Sequence, residues 1–120
     1  MDEKAEIKID VREGFSVIAF KAGTISSSES VTAISESVVE YIKKKRPELL
    51  VVDFEGVKFF SSQVLGVLLK MRAEMKKYGG EVVVSGIEPR LYRVFRITNL
   101  DSLFRFFPNL ENAEDELKTG

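Results

Sequence analysis

The sequence predicts an α/β domain, a mixed sheet of about four to five strands entered through an N-terminal hairpin and packed by about four helices. Three observations carry that expectation. Short apolar runs of strand length alternate with stretches of helical periodicity, the first two runs are separated only by a turn, and the later runs are apolar without alternation, as strands covered on both faces are.

Ile7, Ile9 and Val11 alternate with charged residues, Arg12-Glu13-Gly14 offers a turn, and a second apolar run from Phe15 to Phe20 completes a β-hairpin. Gly23 ends that run, and Ser26 with Glu29 three residues on has capping-box spacing ahead of a helix. Val31, Ile34, Val38, Tyr41 and Ile42 recur at helical spacing and face the core, while Glu36, Glu40, Lys43 and Lys44 look outward. Pro47 closes this helix. Leu49 to Val52, bounded by Pro47 and Asp53, is a buried strand. Phe59-Phe60 and Ser61-Ser62 precede a second helical pattern through Val64, Leu65, Leu68, Leu69, Met71 and Met75, which Gly79-Gly80 stops. Glu81 to Val84 is the next strand, and Pro89 opens a helix carrying Leu91, Val94 and Phe95. Leu103 to Phe107 reads as a short strand, and Asn109 caps a last helix with Leu110, Ala113 and Leu117. Alternation of strands with helices makes the later strands parallel. No repeat or linker divides the chain, so residues 1–120 are expected to form one domain.

Composition narrows the chemistry. A chain of 120 residues with 44% in the hydrophobic set can bury one sizeable core. Lys and Arg number 18 against 19 Asp and Glu, a formal charge of -1, which is not the footprint of a nucleic-acid binder. With no cysteine and no histidine, disulfides, thiol nucleophiles, Cys/His zinc sites and Ser-His-Asp triads are excluded. Carboxylate, hydroxyl, amine or backbone chemistry remains, or binding alone. Met1 is followed by Asp2-Glu3-Lys4 rather than a basic and apolar leader, and the longest apolar run, Val64 to Leu69, is far shorter than the roughly 18 residues of a membrane span. The expectation is a cytoplasmic chain without membrane insertion, cofactor or metal.

Ligands in open α/β sheets gather at the carboxyl ends of parallel strands, and Asp53 to Gly66 occupies that place. Asp53 and Glu55 could share one side of an extended segment as a cation site, and with a divalent ion support an enzyme. No third ligand is near, which favours a plain strand end. Ser61 and Ser62 are better placed. A serine at a helix start presents its hydroxyl beside unpaired backbone N–H groups that would stabilise a phosphate there; an ordinary N-cap is the competing reading. Phosphorylation would add about -1.5 to -2 charges to whatever surface docks over that loop. Phe59, Phe60, Val64, Leu65 and Val67 flank the serines and belong either to the core or to an apolar docking patch. The run Lys43 to Arg46 reads as a solvated helix end, and Arg90, Arg93 and Arg96 as one side of a helix, open to an acidic partner.

The stretch Val51 to Leu69, with Asp53-Phe54, Phe59-Phe60-Ser61-Ser62-Gln63-Val64-Leu65-Gly66 and an apolar helix behind, resembles the signature of STAS domains. These are the bacterial anti-sigma factor antagonists and the related cytoplasmic domains of sulfate transporters. The likeness extends through Gly79-Gly80 and the strand after it, the helix from Pro89 to Phe95, and Ile97 to Phe104. The resemblance implies a STAS-like fold and a protein-binding module, not an enzyme. Its implied partners are an anti-sigma factor that is also a serine kinase, and a phosphatase that resets the switch. Ser62 aligns with the family's phosphoacceptor, with Ser61 as alternative. The implied docking surface comprises Phe60, Ser61, Ser62, Gln63, Val64 and Leu65 with Gly23, Thr24 and Ser26, on a monomer or weak homodimer. Four departures stand out: Ser61 and Ser26 occupy positions where the family carries Asp, Gln63 replaces a small residue and Val64 a glycine. The alternative these departures favour is an unmodified STAS scaffold, or the STAS subunit of a membrane transporter complex.

Overall fold

The computed structural model describes residues 7–119, so residues 1–6 and 120 of the expected domain lie outside the described residues. In chain order the elements are β1 (Ile7–Arg12), β2 (Phe15–Phe20), β3 (Thr24–Ile25), α1 (Ser28–Lys45), β4 (Leu49–Asp53), β5 (Phe59–Phe60), α2 (Gln63–Lys76), β6 (Glu81–Ser85), α3 (Pro89–Ile97), β7 (Arg105–Phe107) and α4 (Leu110–Thr119). Five strands form one sheet in the order β1-β2-β4-β6-β7. Only β1 runs antiparallel to its neighbour; β2, β4, β6 and β7 are mutually parallel. Arg12 pairs with Phe15 across Glu13-Gly14, and Gly14 supplies the left-handed φ of 90° that the tight turn requires.

Strand periodicity divides the core into two layers. Ile18, Leu50, Val52, Val82 and Val84 point to the face covered by Val31, Ile34, Val38 and Ile42 of α1, Leu65, Leu68, Met71 and Met75 of α2, and Leu91 and Phe95 of α3. Their alternates Phe15, Val17, Val51 and Val83 point to the other face, where Phe107 and the α4 residues Leu110 and Leu117 cover them. The continuous apolar runs of β4 and β6 follow from burial on both sides. Tyr41 and Ser16 satisfy each other through a hydroxyl pair 2.6 Å apart, so the buried serine of β2 is not left unpaired.

Three elements differ from expectation. Ser27, not Ser26, is the N-cap of α1: its backbone is extended and its Oγ accepts from the Ser30 N–H at 3.0 Å. Ser30 is three residues past that cap, so Glu29 makes no capping box and Ser26 is left exposed just outside the helix. The last strand begins only at Arg105, because the Leu103 N–H closes a tight turn onto Leu100 O at 3.1 Å and Phe104 drops into the core. Finally, β3 and β5 form a separate two-stranded parallel sheet that no periodicity announces. Asn109 caps α4 as expected, accepting from the Asn112 N–H at 2.8 Å.

Candidate functional site

The β3–β5 pair sits where β2 runs into α1 and β4 runs into α2, so it holds two helix starts side by side. Gly23 O accepts from the Lys58 N–H at 2.7 Å and the Phe59 N–H at 3.3 Å, and Ile25 O accepts from the Ser61 N–H at 2.9 Å. A side chain on Gly23 would place its Cβ 3.3 Å from Gly56 O, a tight approach at that crossing. Gln63 at the first turn of α2 reaches Ser28 of α1, with 3.4 Å between Nε2 and Oγ.

The β4–α2 loop is anchored from below. Asp53 is buried, and its Oδ1 accepts from the Ser85 hydroxyl at 2.8 Å and, more weakly, from the Glu55 N–H at 3.4 Å. That carboxylate ties β4 to β6, while Glu55 points into solvent, so the two acids do not converge. Among the described residues no group of three or more acidic side chains is placed to hold a metal ion. Gly86, at φ 67°, lies so close that a Cβ there would stand 2.8 Å from Asp53 Oδ1. Phe54 and Val57 are fully buried, and the Phe54 ring packs against Phe20 and Phe60 at centroid distances of 5.0 and 5.5 Å. From the side, Arg90 donates to Lys58 O at 2.9 Å and Glu88 pairs with Lys58 Nζ at 2.9 Å, which fastens the loop to the start of α3. The Lys58 ammonium hydrogen-bonded to Glu88, with Arg90 beside it, holds that carboxyl below the usual glutamate value.

On this frame the expected site residues separate into two groups. Phe60, Val64 and Leu65 are core residues, 4–6% exposed, so the apolar docking patch expected of them is not on the surface. The large apolar side chain that does protrude is Phe59, at 51%. Its alternation with Phe60 follows from the two-residue strand, a signal too short to be read from sequence. Gly23, Thr24, Ser26, Ser62 and Gln63 are exposed on the same end of the molecule.

The two serines are also unlike. Ser61 is half-buried, and its Oγ is shut from solvent without a hydrogen-bond partner. Ser62 is exposed at the start of α2, already in helical conformation (φ -61°, ψ -18°), and its hydroxyl makes no capping bond. The backbone carbonyls of Ser61 and Ser62 accept from Val64 and Leu65, each at 3.0 Å, so α2 opens in a tight turn. No acidic residue lies in the first turn of α2, which leaves its positive dipole end unneutralised. All three α3 arginines are exposed, and Arg90 in addition bonds the loop through Lys58 O.

These features define a small α/β domain whose two converging helix starts present a loop of hydroxyl side chains. The STAS domain profile matches residues 6–113, and the chain belongs to that family. The anti-sigma-B factor antagonist of Listeria monocytogenes is 26% identical over 111 residues, covering 92% of this chain and 92% of that protein. The anti-sigma F factor antagonist of Paenibacillus polymyxa is 28% identical over 79 residues, 66% of this chain and 68% of that protein. Among solved structures, an anti-sigma-factor antagonist (STAS) domain protein from Planctomyces limnophilus superposes with a TM-score of 0.80 at 21% identity, over 91% of this chain and 94% of that one. Among the described residues no helix is long and apolar enough to cross a membrane.

Proposed function

We propose that this chain is an anti-sigma factor antagonist: a binding module, not an enzyme, that captures an anti-sigma factor with serine kinase activity and is released when Ser62 is phosphorylated. The relatives named for antagonism of anti-sigma F and anti-sigma-B factors support the general role. The observation that carries the choice of residue is the contrast between two neighbouring hydroxyls, one buried at Ser61 and one exposed and uncommitted at Ser62. A kinase needs the hydroxyl within reach of a nucleotide's terminal phosphate, and only Ser62 offers that without unfolding the loop.

The surface offered to the partner is the exposed set Gly23, Thr24, Ser26, Phe59, Ser62 and Gln63, continuing along the shallow groove between α1 and α2 past Ser35 and Gly66. A phosphate on Ser62 adds about -1.5 to -2 charges at the positive end of α2, where the helix tolerates it. The cost therefore falls on the docked partner. Serine in place of aspartate at positions 26 and 61 leaves the phosphate the dominant negative charge of the loop's serine cluster. The same absence favours a second reading, in which the loop docks constitutively as a scaffold or a transporter subunit.

The test is to incubate the chain with the kinase-type anti-sigma factor of its own genome and ATP, and to map phosphate by peptide mass spectrometry. A single phosphate on Ser62, absent from Ser62→Ala, is expected, together with loss of kinase binding in Ser62→Glu. No phosphate, with undiminished binding by Ser62→Glu, removes the switch; co-purification with an integral membrane protein instead supports the constitutive reading.

A further inference from the structure

The strand β1 is one edge of the five-stranded sheet, and no described residue pairs with its outer side. An edge of this kind presents a row of free backbone donors and acceptors. Which residues own that row follows from the register. Arg12 and Phe15 flank a two-residue turn, whose closing contact is a hydrogen-bonded pair. Alternation then turns the backbone groups of Arg12, Asp10 and Lys8 toward β2 and those of Val11, Ile9 and Ile7 outward.

Two of the usual guards of an edge, proline and a bulge, are missing from β1. The strand runs through six consecutive pairs, whereas the opposite edge, β7, has only three residues. Val11 is 70% exposed beside the turn that ends the strand. Charges do alternate along β1, but in a self-complementary order. Lys8, Asp10 and Arg12 share one face, as positive, negative and positive.

We propose that β1 is the interface of a symmetric homodimer, two copies pairing antiparallel about a two-fold axis at Ile9. In that register Ile9 faces itself, Ile7 faces Val11 of the second copy, and Lys8 faces Asp10 of the second copy, twice. The outward backbone groups of Ile7, Ile9 and Val11 are then all used, in about six inter-copy hydrogen bonds. A register centred on Val11 would also oppose unlike charges, Asp10 against Arg12, but it carries Ile9 opposite Glu13 in the turn and loses most of the ladder. Exposed Lys8 pairs with no acid among the described residues, and in the Ile9-centred register Asp10, which holds Arg12 of its own strand, is shared with Lys8 of the second copy. The contact joins two sheets into one without touching Ser62, so it stands or falls apart from the proposed switch.

An edge-to-edge contact is small, so the association is expected to be weak, on the order of 0.1–1 mM. The experiment is hydrogen exchange and sedimentation of the whole chain at about 20 μM, below that range, and at about 1 mM, at its top. The Ile9 and Val11 amides are expected to gain protection only at the higher concentration, while Asp10 and Arg12, bonded to β2, do not change. Lys8→Asp, which opposes two acids, should weaken dimerisation at least about tenfold, and Lys8→Asp combined with Asp10→Lys should restore it. The double variant guards against a fold defect in the single one. A monomer at the higher concentration, a dimer with an unprotected Ile9 amide, or a dimer indifferent to Lys8→Asp each overturns the proposal.

Discussion

Replacing Ser61 by alanine removes a hydroxyl that the fold shuts away. The backbone N–H of Ser61 is used by Ile25 O at 2.9 Å, but Oγ has neither solvent nor partner. A buried unpaired hydroxyl costs about 1–3 kcal/mol on mutational scales. Alanine keeps the Cβ and forfeits only the dispersion contacts of one oxygen, a few times the ~0.1–0.2 kcal/mol of a single atom pair. The balance is a gain of about 1 kcal/mol. At a urea m-value of about 1–2 kcal/mol/M that raises the midpoint by roughly 0.5–1 M with the slope unchanged. Ser62→Ala is the internal control. A serine at a helix start ordinarily contributes about 1 kcal/mol as a cap, but Ser62 makes no capping bond, so its loss should stay within about 0.5 kcal/mol. Urea titrations followed by circular dichroism on both variants decide the matter. A destabilised Ser61→Ala would show that the hydroxyl is paired, and the contrast drawn between the two serines would fail.

Two further outcomes follow from the loop's supports. Gly86→Ala puts a Cβ 2.8 Å from Asp53 Oδ1 at a φ of 67°, so steric and backbone strain together should cost about 2–3 kcal/mol in the same urea assay; a neutral variant would mean that the Asp53–Ser85 bridge is not held as described. Glu88 has a folded-state pKa below its usual 4.5, so its contribution is complete above that value and is lost as pH falls through the lower, folded one. An NMR titration should place the Glu88 midpoint below 4.5 and move it up in Lys58→Ala; an unmoved midpoint would remove Lys58 as the principal cause.

Legibility in the sequence tracked the length of each signal. The helical repeats of α1 and α2 and the doubly buried runs of β4 and β6 extend over enough residues for their period to specify the element, and they appear where that period puts them. The α1 cap is displaced by one residue because four serines between positions 26 and 30 satisfy the same chemistry, and only backbone conformation selects Ser27. β3 and β5 are two residues each, held by pairing with one another across a gap of more than thirty positions. Nothing local could announce them. Without β5, the sequence alone places Phe60 with the docking residues. Once β5 is a strand, alternation sends Phe60 inward and Phe59 outward. The Asp53–Ser85 and Lys58–Glu88 contacts are invisible for the same reason, since each joins residues about thirty apart whose proximity the sheet order creates.

That web of long-range contacts bears on how the proposed switch would operate. The loop carrying Ser62 is bonded through its backbone to Gly23 and Ile25 on one side and gripped by Arg90 on another. Beneath, it is pinned by the fully buried Phe54 and Val57. A charge added to a mobile segment can order it or melt it, but one added to a segment tied on three sides has little conformational freedom to exploit. Ser62 is already helical and its hydroxyl holds no bond that a phosphate would have to break. The proposed modification therefore changes the potential of a fixed surface, and discrimination between the two states rests with the partner. Such a design places the whole energetic difference at the interface, where a phosphate facing a desolvated apolar or acidic patch is repelled by both burial and charge. The serines at positions 26 and 61 fit that economy: a neutral loop gives the unmodified chain no repulsion of its own, so the phosphate alone would set the contrast between bound and released states.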